Sequence, residues 1–150
     1  MQSLTEYITL PPMLLVAHVT LISLTLLLVF FSDEVALEWI IGVRKTISKQ
    51  LADRLHLAVS TGLTGTILSG TLLAWPLLDH LMQQPAFLVK MLFVITLVVN
   101  AVLIKRLSIC ATRMPFADVS TAIRKRLYFI GTLSMTCWLG AVVCGILLGY

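Results

Sequence analysis

Four apolar runs, each near the length a helix needs to cross a bilayer, constrain this chain more than any other feature. They cover roughly residues 10–31, 56–78, 86–104 and 128–148. A helix rises about 1.5 Å per residue, so about 20 apolar residues match a hydrocarbon core of about 30 Å. At 150 residues and 59% hydrophobic, the chain has more apolar surface than a soluble domain of its size could bury. Its charged share is only 12%, and those charges avoid the apolar runs. The expected fold is all-α: a single integral membrane domain, 1–150, built as an antiparallel four-helix bundle. Lipid is the first partner implied.

The connections set the orientation. Residues 33–54 mix Val35, Leu37, Trp39, Ile40, Ile41 and Val43 with Arg44, Lys45, Lys49 and Arg54, the composition of an interfacial amphipathic segment between the first and second spans. Ser32 and Asp33 at its start read as a helix cap. Residues 105–126 hold six basic residues and are broken by Pro115. The connection near residues 79–85 is short and lacks Lys and Arg, so ten of the eleven basic residues fall in two loops on one face. The positive-inside rule makes that face cytoplasmic and both termini external, as in a bacterial inner membrane. Topology thus explains the net charge of +4, and nucleic acid is not an expected partner. No Lys or Arg precedes Arg44, so the first span lacks a signal peptide's basic leader and is expected to stay as a helix. Pro11 and Pro12 suit its first turn, where an N–H would go unpaired anyway.

Small residues recur within the spans. Gly62, Thr66 and Gly70 lie four apart, as do Gly140 and Cys144, and Gly145 and Gly149. Such stripes let helix backbones approach closely in lipid, and glycine can equally make room for a flat ligand. The hydroxyls around the first stripe can all bond back to their own helix.

Ionisable groups inside a span are costly, by roughly 2.5–3.5 kcal/mol for Lys at a helix centre, which makes each a candidate for function. Two qualify. His18 lies on the order of 12 Å below the outer surface and Lys90 about half as deep. Lys90 can snorkel toward the headgroups or the Asp79–His80 region. His18 is open to three roles: an interhelical hydrogen bond to Ser or Thr, ligation of haem iron or another metal, or a proton relay. Ser69 and Gly70 fall at the same depth as His18, whereas His56 lies near the opposite face. Asn100 needs a partner on another helix, and Trp138 is deep enough to be core or pocket wall. The three cysteines have no metal-ligand spacing, and Met13, Met82 and Met91 have no regular repeat. No Walker sequence, HExxH or GxSxG is present, so no catalytic residue is assigned.

The segments AHVTLISLTLLLVFFSDEV, TGTILSGTLL, PAFLVKMLFVITLVVNAVLI and CWLGAVVCGILLG together resemble a group of small bacterial four-helix membrane proteins related in pattern to the membrane domain of the copper-resistance protein CopD. More distantly, the arrangement is similar to HemJ-type protoporphyrinogen oxidases, which use a histidine in the first span and a lysine early in a later one. His18 and Lys90 stand at the matching positions. The resemblance implies a haem b site or porphyrin chemistry in the outer half of the bundle. His18 would then bind iron, Lys90 would lie near the propionates or the second axial face, and Ser69, Gly70 and Trp138 would border the macrocycle. Two other functions compete: an accessory subunit of a larger membrane complex or homo-oligomer, and copper or small-solute transport. The tight glycine contacts argue against a through-path.

Overall fold

The computed structural model describes residues 12–148. Five α-helices order the chain: α1 (Pro12–Ile40), α2 (Lys49–Ala74), the single-turn α3 (Leu78–Leu81), α4 (Pro85–Arg113) and α5 (Thr121–Leu147). Four helical stretches, Met13–Ile40, Lys49–Leu81, Pro85–Arg113 and Thr121–Leu147, are long and apolar enough to cross a membrane. The expected four-helix bundle is present. Pro12 and Pro85 each occupy the first position of a helix, and a turn of 3-10 helix at Trp75–Leu77, which contains Pro76, follows α2. Pro11 and Gly149 lie outside the described residues.

The basic end differs from expectation. α1 does not stop near residue 31 but continues to Ile40, so Ser32 and Asp33 are interior to a helix and cap nothing. Glu34, Ala36 and Leu37 are good helix formers, and the two acids need not interrupt the helix once it leaves the apolar layer. The chain turns instead at Gly42, whose φ of +82° is open to glycine at little cost. The cap belongs to Ser48, whose Oγ accepts the Leu51 N–H at 3.3 Å and starts α2.

The apolar residues of 33–54 divide as in an amphipathic segment, with Leu37, Ile41 and Val43 exposed. Val35, Trp39 and Ile47 are buried in one cluster with Ala111, Phe116 and Val119 from the end of α4 and the connection after it. Trp39 meets Phe116 edge-on, ring centroids 5.1 Å apart, and its indole N–H donates to the Met114 carbonyl at 3.1 Å. Arg124 lies over the other side of this corner, its guanidinium carbon 5.0 Å from the Phe116 centroid. Both basic loops therefore close on a common small core.

Within the bundle α1 packs mainly on α2 and α4 on α5, and these two hairpins meet chiefly through α2 and α4. Glycines set the first pairing. A side chain at position 62 would overlap Thr25, and one at position 70 would come within 3.0 Å of His18 Cε1. Gly140 in turn accommodates the Phe93 ring. The stripes are thus occupied by neighbouring side chains, the close packing that replaces hydrophobic drive in lipid. The seam between the hairpins is less completely filled. Val29, Leu63, Leu97, Cys137 and Trp138 form a buried cluster at its middle, with a cavity on either side.

Candidate functional site

The cavity nearer the short-loop end measures about 230 Å³ and is bounded by all four long helices. His18 reaches it from α1, Gly70 and Thr66 from α2, Lys90 from α4 and Trp138 from α5. Ser69 stands behind the histidine. All five residues singled out as a possible cofactor site, His18, Ser69, Gly70, Lys90 and Trp138, therefore meet in one place.

The histidine is 7% exposed, and its orientation follows from one contact. His18 Nδ1 lies 2.7 Å from Ser69 Oγ. That hydroxyl also lies 2.8 Å from the Gly65 carbonyl and 3.1 Å from that of Thr66, both of which can only accept. A hydroxyl has one proton to give, and its helix carbonyls take it, so Ser69 accepts from Nδ1–H. The neutral imidazole is then the Nδ1–H tautomer, with the lone pair on Nε2. Gly70 holds the ring from beside, since a methyl group there would press on Cε1.

Lys90 is half-buried and turned toward α5: its Nζ lies 3.5 Å from where a Cβ on Gly145 would stand. The ammonium thus lies inside the bundle as well as near its end. Thr66 departs from the expectation that every hydroxyl of α2 bonds back to its helix. Thr64, Ser69 and Thr71 do so, but Thr66 Oγ1 is buried without a hydrogen-bond partner. Sequence could not single it out, because the six hydroxyls between positions 60 and 71 look alike until the neighbouring helices are placed.

Apart from Thr71, the remaining walls are apolar. Trp75, Leu78 and Met91 line the cavity yet are 73%, 40% and 41% exposed, so it opens sideways between α2 and α4, toward lipid. His56 is remote from this site and lines the second cavity, as does Asn100, whose Nδ2 donates to the Ile130 carbonyl across helices at 3.2 Å. Met13 and Met82 are exposed and do not line either cavity. Among the described residues, no three His, Cys, Asp or Glu side chains converge to hold a metal ion. Any iron held here would therefore lean on the single imidazole.

Comparison with protein-family models, with curated proteins and with solved structures finds no match to this chain.

Proposed function

We propose that the chain is a membrane protein whose short-loop-end cavity binds a lipophilic ligand, and that the ligand is haem b. The observation that supports this most is the fixed histidine. With Nδ1–H committed to Ser69, Nε2 keeps a lone pair in an apolar site, the arrangement in which an acceptor behind the ring orients a metal-binding imidazole. Lys90 offers the cation that a propionate needs in low dielectric. The apolar walls and the side opening suit a ring that enters from the bilayer. About 230 Å³ is below the usual range of small-molecule sites, roughly 300–1,000 Å³, so haem would bind only with α2 and α4 parting further at the side opening. Bound haem would supply one-electron redox chemistry, while this chain would hold the iron, pair the propionate and exclude water. By the distribution of basic residues, the site lies in the outer half of a bacterial cytoplasmic membrane.

The test is an oxidised-minus-reduced visible spectrum of the protein purified in mild detergent from haem-replete cells. Native protein should show b-type Soret and α bands. His18→Ala should lose them, and Lys90→Gln should keep the bands but release haem roughly tenfold more readily, the scale of one charge-assisted hydrogen bond. A flat native spectrum overturns the proposal and favours an accessory subunit whose polar residues only lock its helices.

A further inference from the structure

The second cavity, at the basic end of the seam, presents a different chemistry. It measures about 360 Å³, within the range of small-molecule sites, and is separated from the first by Leu63, Leu97 and Trp138, which wall both. Asn100 projects to it from α4 and is only 2% exposed. Its Nδ2 is fixed by the Ile130 carbonyl, because a flipped amide would set two acceptors against each other. Oδ1 is therefore a defined acceptor, and it is buried without a partner. A native interior rarely leaves such an atom unpaired, so the cavity calls for a donor.

The charge of the walls narrows the choice. Although this is the basic end of the molecule, no Lys or Arg borders the cavity, and its one charged wall residue is Asp33. His56 and Ser60 add polar atoms on α2, Ser32, Ser108, Thr132 and Ser134 add neutral hydroxyls from the other helices, and the rest of the surface is mainly aliphatic and aromatic. An acceptor deep inside and a carboxylate on the same cavity wall, with no cationic side chain beside them, fit a cation that carries N–H groups on an apolar body. We propose that this cavity is a second binding site, for a lipophilic primary ammonium. The ammonium donates to Asn100 Oδ1 and is balanced by Asp33, and the hydrocarbon lies along the seam. The inference does not depend on the reading of the first cavity. Two sources present this chemistry, a free amphiphilic amine and the headgroup of an ethanolamine lipid.

Equilibrium dialysis of labelled decylammonium against the full chain in phosphatidylcholine nanodiscs, with empty nanodiscs subtracted, tests the proposal. Binding should saturate near one per chain. Decyltrimethylammonium, which has the charge without N–H donors, should bind at least about tenfold more weakly, as for loss of a charged hydrogen bond. Asn100→Leu and Asp33→Asn should each weaken binding by a similar factor. Gly131→Leu guards against a folding artefact: Gly131 borders the cavity and a Cβ there meets nothing within 4 Å, so a side chain can start there without strain, and leucine should occupy the cavity and abolish binding while the native thermal stability is kept. Competition that appears when phosphatidylethanolamine replaces part of the phosphatidylcholine identifies the lipid headgroup as the source; its absence identifies a free amine. Absent or non-saturating binding overturns the proposal and leaves the cavity to water. So does binding that Asn100→Leu and Gly131→Leu leave unchanged.

Discussion

Thr25 shows how much a single atom can decide in this bundle. It is 1% exposed, its hydroxyl is tied to the Leu21 carbonyl at 2.7 Å, and it fills the space left by Gly62. Held at both ends, it cannot turn away from a new methyl group. Gly62→Ala should therefore destabilise the protein by about 1–3 kcal/mol, the usual cost of overpacking. Gly131 is the contrasting case, because a Cβ there meets nothing and alanine is the better helix former. Gly131→Ala should stabilise by roughly 0.5–1 kcal/mol. Thermal inactivation in one detergent would rank the two: a shorter half-life for the first and a longer one for the second. Equal effects would mean that glycine acts here through backbone freedom alone and not through contact with α1. The site residues obey the same logic of close contact. His18 and Lys90 were legible in the sequence because an ionisable group in an apolar run is costly wherever it points. Thr66 and the bare Asn100 oxygen were not, since satisfaction of a polar atom depends on which helix faces it.

At the scale of elements, the four spans were legible because hydrophobic length alone determines them. Their ends were not. α1 outlasts its apolar run, since helical hydrogen bonding continues past the hydrocarbon edge as long as no breaker intervenes, and the first breaker is Gly42. The pairing of helices was equally hidden: when lipid and core are both apolar, hydrophobicity does not distinguish an inward face from an outward one. The basic-end corner is where water-facing loops and bundle meet, and Trp39 anchors it at 2% exposure. Trp39→Phe keeps much of the apolar contact but leaves the Met114 carbonyl without its donor, at a cost of about 1–3 kcal/mol. Trp39→Ala also removes the ring against Phe116 and should cost about 3–5 kcal/mol. The corner should open before the spans unfold. Limited proteolysis would then cut the Met114–Ser120 connection faster in Trp39→Ala than in Trp39→Phe, and slowest in the native chain. Cleavage at one rate in all three would show that the connection is held by other contacts.

For the molecule as a whole, the decisive asymmetry is electrical. Ten basic residues gather at one end, and the short connection at the other has none. Two cavities lie on opposite sides of the Leu63, Leu97 and Trp138 layer, so the orientation of the bundle decides which compartment each cavity is nearer. Translocating Lys and Arg against the membrane potential is unfavourable, and the proposal that the basic end is cytoplasmic rests on this. Gln83 and Thr46 report on the two ends, being exposed at the short connection and in the first basic loop respectively. In a background with Cys110, Cys137 and Cys144 replaced by alanine, Gln83→Cys should react with a membrane-impermeant maleimide in spheroplasts with an intact inner membrane. Thr46→Cys should react only after that membrane is permeabilised. The reverse pattern would turn the molecule over: the His18 cavity would then lie in the cytoplasmic half, and the Asn100 and Asp33 cavity would draw its cation from outside.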